Sequence, residues 1–134
     1  MNLYKHTYQF SKRMEMKDIT NQIKEDLKIS GTQEGILVVY TPHTTAGITI
    51  NENADPDVVR DMLNGFERAF PTHHSDYHHF EGNSHAHMKS TIYGSSQTLI
   101  INQGKLILGI WQSIYLCEFD GPRNRQYYVK IIEG

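Results

Sequence analysis

The chain has a single cysteine, Cys117, among 134 residues. No intrachain disulfide can form, and zinc sites built from several thiolates are excluded. Neither sign of charge is in clear excess: thirteen Lys and Arg against fifteen Asp and Glu leave −2 with neutral histidine. That balance gives no electrostatic case for binding nucleic acid or an anionic membrane surface. Long hydrophobic runs are missing too. The opening MNLYKHTYQF lacks the apolar stretch of a signal peptide, and no segment has the length of a membrane span. A cytoplasmic protein is therefore expected. No repeat, low-complexity stretch or linker interrupts the chain, whose length suits one domain over 1–134.

What the chain has in quantity is histidine, eight in all. Four of them, His78, His79, His85 and His87, fall within YHHFEGNSHAHMKSTIYGSS at 77–96, with His73 and His74 just upstream. Imidazole is the commonest metal ligand and the side chain most easily tuned as an acid or base near neutral pH.

Periodicity gives the frame that would hold these residues. Alternation over 3–10 places Tyr4, His6, Tyr8 and Phe10 on one face of a strand. Ile19, Ile23 and Leu27 recur every fourth residue, with Asp18 as a cap and Gly31 as a stop, so a short helix covers a sheet here. GILVVYT at 35–41 is a continuous apolar run and predicts a central strand that Pro42 ends. GITIN at 47–51 resumes as a strand, which puts His43 at a hairpin turn or a sheet corner. Within 52–71, Asp55 caps, Pro56 takes the first helical position, and Val59, Met62, Leu63, Phe66 and Phe70 trace one apolar face. A short helix through His85 and Ile92 ends at Gly94. Strands over 98–101, 105–108, 110–119 and 126–132, joined by turns at 102–104 and 120–123, read as an antiparallel meander. The expectation is an α+β domain of seven or eight mainly antiparallel strands with two main helices.

Spacing limits which histidines can act together. On a helix, His85 and His87 point about 200° apart, so one of the two enters a given site. Three histidines from separate segments, His43, His79 and His87, fit an open metal site with three protein ligands. The same residues also read as solvated loop histidines or as hydrogen-bond partners in a polar cleft. Glu118, Asp120, Arg123 and Arg125 crowd one turn, where the arginines suit a phosphate or carboxylate, and local ion pairing is the simpler reading. Glu52 and Asn53 stand where a strand meets the long helix, and Gly94, Ser95 and Ser96 offer N–H groups and hydroxyls to an anion. Trp111 and Cys117 are expected in the core.

The runs TPHTTAGITINENADPDV, GNSHAHMKSTIYGSS and LGIWQSIYLCEFDGPRNRQYYVKI together resemble the YjbQ family, as does the Tyr-x-His of Tyr77 and His79. The resemblance implies a small α+β protein that assembles as a homotrimer, with secondary thiamine-phosphate synthase activity in at least some members. It keeps histidines at His43, His79 and His87, the last spaced four from Asn83, and demotes His85. It also keeps Glu52, Lys89, Trp111, Gln112, Glu118, Asp120 and Arg123. Ile110 stands where the family string has threonine.

The resulting expectation is a His-lined polar cleft for a small phosphorylated metabolite. His43, His79 and His87 hold a divalent metal, with zinc the first choice and magnesium the second. Glu52 or Glu118 accepts a proton, while Lys89, Arg123, Ser95 and Ser96 hold phosphate, with Asn83, Gln112 and Asp120 beside them. Condensation of hydroxymethylpyrimidine diphosphate with thiazole phosphate is one reaction for such a cleft. A metal-dependent hydrolase is the alternative, and a non-enzymatic trimer pinned by a metal or anion is another.

Overall fold

The structure, a computed structural model, describes residues 2–134. Eight strands and three helices follow in the order β1 (Leu3–Gln9), β2 (Glu15–Asp18), α1 (Thr20–Ser30), β3 (Gly35–Tyr40), β4 (Ala46–Glu52), α2 (Pro56–Ala69), α3 (Ser84–Tyr93), β5 (Ser96–Asn102), β6 (Lys105–Leu106), β7 (Gln112–Glu118) and β8 (Asn124–Glu133). All strand pairings are antiparallel, in a five-stranded sheet β1-β8-β3-β5-β6 and a three-stranded sheet β2-β7-β4. The α+β class holds, with the expected short helix ending at Gly94, 10 residues long, beside the two main helices of 11 and 14.

The meander does not hold. β5 and β6 do form a hairpin, whose two turn residues, Gln103 and Gly104, both take positive φ as a two-residue turn requires. β7 then leaves for the other sheet, and β8 returns to lie between β1 and β3. The reason is that β7 is apolar on both faces. Ile114 and Leu116 pack with Ile48, Leu37 and Val129 between the sheets, while Tyr115 and Cys117 pack with Ala86, Tyr93 and Phe119. Only a middle strand of a sheet covered on both sides satisfies that pattern. β3 and β4 likewise lie in different sheets, so His43 sits at a corner between layers and not at a hairpin turn.

Three layers result: the five-stranded sheet, the three-stranded sheet, and α2 with α3. Val59, Met62 and Phe66 of α2 pack on the second apolar cluster, as their spacing predicts. Asp55 caps that helix by accepting from the Asp57 N–H at 2.9 Å. The end of α3 is pressed against β4, where the Ile48 N–H donates to the Gly94 carbonyl at 2.9 Å. A Cβ at Gly47 would lie 2.9 Å from both the Gly94 oxygen and Tyr93 Cβ, so this contact requires glycine. Cys117 is buried as expected, and burial pushes its thiol up. Trp111 is not in the core; it is 61 % exposed, next to Ile110. No helix among the described residues is long and apolar enough to cross a membrane.

Candidate functional site

The β4–β7 pairing separates the residues expected to share a cleft. Ala46 opposes Glu118 at one end of the pair, and Glu52 opposes Gln112 at the other. Positions 46 and 52 are thus about 20 Å apart along the strand, at ~3.3 Å per residue. Within one chain, Glu52 and Gln112 do not join Glu118, Asp120 and Asn83. Gln112 is occupied locally, its Oε1 accepting from the Gly109 N–H at 2.7 Å. The backbone carbonyl of Glu52 accepts from the Tyr115 hydroxyl.

Glu118 is fully buried and joins the two sheets. Arg125 donates to it twice, Nε to Oε2 at 2.9 Å and Nη2 to Oε1 at 2.5 Å. The same Nη2 donates to the Thr45 hydroxyl at 2.7 Å, and the Asp120 N–H donates to Glu118 Oε1 at 3.0 Å. With its oxygens committed this way and no solvent access, Glu118 is a structural counter-ion and not a free proton acceptor. Arg125 follows the alternation of Tyr127, Val129 and Ile131, so its inward direction was readable from strand spacing alone. Arg123 instead lies outside and folds back on Asp120, whose carboxylate also accepts from Asn83 Nδ2 at 2.8 Å.

His43 stands at the corner between the sheets. Its Nε2 accepts from the Gln126 N–H at 3.0 Å. Burial, then the nearby Arg125 charge, lowers its pKa, consistent with a neutral ring that accepts at Nε2 and carries its proton at Nδ1. The lone pair a metal would need is therefore spent on the backbone. Among the described residues no three His, Cys, Asp or Glu side chains are gathered as a metal ion requires. The expected trio of His43, His79 and His87 is thus reduced to a pair: the His79 and His87 rings meet edge to face, 5.5 Å between centroids.

That pair lines a cavity of about 640 Å³, with Tyr77, His78, Ser84 and Met88 among its walls. His87 also lines a second cavity of about 410 Å³, shared with Thr44, Ser90, Thr91, Gly94 and Ser95. Ser95 lines this cavity, while Ser96 is the first residue of β5 and opposes Tyr40. His73, His74 and His78 lie exposed on the loop between α2 and α3.

Beneath α2 lies a polar group that periodicity did not single out. The buried face of α3 consists of His85, Ala86, Lys89, Ser90 and Tyr93. Lys89 is fully enclosed, so it is not available to an outside phosphate. Its Nζ donates to Glu67 Oε1 at 2.7 Å, to His85 Nδ1 at 2.8 Å and to Met14 Sδ at 3.4 Å. Burial, then the Lys89 charge, pushes the His85 imidazole down to about 4. For Glu67, burial acts upward, but hydrogen bonds from Lys89 and Thr72 outweigh it and hold the carboxyl at about 2. His85, and not His87, is therefore the inward member of the pair. The four-residue spacing of His85 and Lys89 was the available signal; Glu67 gave none.

Known proteins share this architecture. A Clostridium acetobutylicum crystal structure of the yjbq/upf0047 family superposes with a TM-score of 0.94 at 54 % identity, covering 96 % of this chain and 99 % of that one. The Thermus thermophilus structure of a conserved hypothetical protein gives 0.88 at 36 % identity, over 96 % and 99 % of the two chains. In sequence, the UPF0047 protein YugU of Bacillus subtilis is 54 % identical over 91 % of this chain and 92 % of its own length. A UPF0047 protein of Methanocaldococcus jannaschii is 52 % identical over 97 % and 94 %. The family pattern described as UPF0047 protein YjbQ-like matches residues 5–134, and with these relatives it establishes that the chain belongs to the YjbQ family.

Proposed function

We propose that the chain is a small-molecule enzyme that acts on a phosphorylated metabolite at two of the cavities that His87 lines. The observation that carries this reading is the position of His87 between a roomy pocket walled by flat rings and a smaller one edged with hydroxyls. The first suits a heteroaromatic ring, and the second suits a phosphate held by the side chains of Thr44 and Ser95. A ring pocket beside an anion pocket is what a secondary thiamine-phosphate synthase needs. In that reaction the thiazole nitrogen attacks the methylene carbon of hydroxymethylpyrimidine diphosphate, the carbon–oxygen bond breaks, and its electrons leave with pyrophosphate. Juxtaposing the two rings is the main contribution asked of the protein.

The test is pyrophosphate release and thiamine-phosphate formation from the two purified substrates. Wild-type protein is expected to give both products, and His87→Ala to lose most of kcat/KM while its unfolding midpoint stays within a few degrees. No product above background from the folded wild type would sink the synthase reading.

A metal-dependent hydrolase is the second reading, favoured by the approach of His79 to His87. A divalent metal there, zinc before magnesium, takes its remaining ligands from a neighbouring subunit or the substrate. Elemental analysis decides it: stoichiometric zinc in the wild type, lost in His79→Ala, supports the hydrolase and its metal. Metal or phosphate bound without turnover of either substrate class leaves the non-enzymatic trimer.

The homotrimer is part of the proposal. GILVVYT is apolar along its whole length, as for a strand covered on both faces, yet one chain covers only one. On the open face Ile36 opposes Ile132 on one side and Ile100 on the other, and the Ile107 N–H bonds to Ile100. All four isoleucines are exposed, which suits burial against copies of the same chain. A cytoplasmic location completes this reading, consistent with a lone cysteine held as a thiol.

A further inference from the structure

Trp111 is the chain's one tryptophan, and it stands outside the fold. It is 61 % exposed, beside Ile110 at 93 % and Ile107 at 56 %. Tryptophan is ordinarily among the better covered residues. This apolar tip is nonetheless held in shape. The Asn53 N–H donates to the Trp111 carbonyl and the Gln112 N–H to the Gly109 carbonyl, each at 3.0 Å. The Gln112 side chain closes the turn by accepting from the Gly109 N–H. A large ring on a preformed tip loses little freedom on docking, which is the character of an interface anchor.

The cavity walled by Tyr77, His79, His87 and Met88 has the complementary need. Its volume of about 640 Å³ lies within the roughly 300–1,000 Å³ of small-molecule sites, which enclose most of their ligand. Here Asp76, His78 and His79 are themselves exposed, so one chain leaves that cavity uncovered. Trp111 of the same chain cannot cover it. The tip lies at the Glu52 end of β4, bonded to Asn53. His87 lines its second cavity with Ser90, whose hydroxyl donates to the Ala46 carbonyl at the other end of that strand. Those two ends are about 20 Å apart, at ~3.3 Å per residue.

We infer that Trp111 of a neighbouring copy covers the His79–His87 cavity, so that each substrate site is built from two chains. Charge complementarity favours a second copy as the occupant. Glu52 and Asp55 flank the tip and make no ion pair among the described residues. Arg68, exposed at the end of α2 near the cavity residue Phe70, is a cation without one. Asp76 and Glu81 at the cavity mouth stand beside His74 and His79. The tip is also continuous with the isoleucine face proposed above as the contact between copies, because the Ile107 N–H bonds to the Ile100 carbonyl. The contact joins different patches of the two chains. It is therefore heterologous, and the threefold of a homotrimer closes it into a ring. Glu52 and Gln112, which lie far from Glu118 within one chain, reach the cavity from the next one. This inference deepens the reading of that cavity as the substrate site and rests on it and on the homotrimer.

The test uses the full chain and no substrate. Sedimentation equilibrium gives the mass, and Trp111, as the sole tryptophan, reports its own surroundings by fluorescence. In the assembled wild type, acrylamide should quench that emission several-fold less than in the urea-unfolded chain. The double variant Ile110→Cys with Met88→Cys should be joined by a short bismaleimide into covalent dimers and trimers, and neither single variant should be. Cys117 is buried and stays out of the reaction. Quenching close to that of the unfolded chain overturns the inference, and so does a double variant that assembles without cross-linking. With a trimer mass, either result leaves the homotrimer and the synthase assay standing. A monomer mass overturns the inference and the homotrimer together. A failed synthase assay leaves the cross-link and the shielding of Trp111 unaffected.

Discussion

Replacing Arg125 with methionine tests whether Glu118 is a structural ion or a working base. The substitution keeps most of the volume but removes two donors to Glu118 and one to Thr45 Oγ1. Glu118 is fully buried and retains only the Asp120 N–H, so a nearly bare carboxylate is left inside the sandwich. Stranding one member of a buried pair costs about 3–5 kcal/mol. For a domain of this size that is a fall in unfolding midpoint of roughly 10–20 °C. Removing both charges with Glu118→Leu and Arg125→Met together should recover most of the loss, because neither charge then has to be desolvated. The measurement is urea unfolding of wild type, both single variants and the double, at one protein concentration so that assembly does not enter the comparison. A loss below about 1 kcal/mol in Arg125→Met is the size of an exposed pair, and would refute the assignment of Glu118 as the inter-sheet counter-ion. Glu118→Gln adds a functional arm. If it abolishes turnover with stability unchanged, Glu118 is a base after all.

Three further outcomes follow from the same geometry. Gly47→Ala should destabilise by about 1–3 kcal/mol, because the added methyl meets the Gly94 carbonyl and Tyr93 Cβ at 2.9 Å, and thermal unfolding measures it. Stability should fall in two stages on acidification: His85 is depressed to about 4, so the unfolded chain binds the extra proton between about 6.5 and 4, and Glu67 at about 2 adds a further loss below about 4.5. His85→Gln should flatten the first stage and Glu67→Gln the second, and a wild-type unfolding curve flat from pH 6.5 to 4 contradicts the sign. Ile36→Lys should dissociate the assembly, seen as a monomer mass in sedimentation equilibrium; an intact trimer would place the interface elsewhere.

Local sequence carried much of the frame. Alternation in 3–10, the apolar run at 35–41, the Asp55-Pro56 start of α2 and the Gly31 stop of α1 are decided by residues next to one another, and all appear where the pattern puts them. Cys117 and the apolar face of α2 were readable for the same reason. α3 was harder, because its buried face is built from His85, Lys89 and Ser90, which hydropathy assigns to the outside. Only pairing with Glu67, Met14 and the Ala46 carbonyl makes that burial affordable, and those partners are distant in sequence.

The sequence by itself determined the α+β class, the family, and the crowding of imidazole and charge at the α3 segment and the β7–β8 turn. Tertiary structure decided what those groups face. It split β7 from β8 between two sheets, which turned Glu118 and Arg125 into a bolt across the core. It also set Glu52 and Gln112 at the far end of the β4–β7 pair, and made His85, not His87, the buried member of that histidine pair. The physical reason is that strand and helix periods fix the direction of a side chain relative to its own element. Which element lies opposite, and whether it brings a partner or solvent, depends on contacts between residues that no local spacing relates.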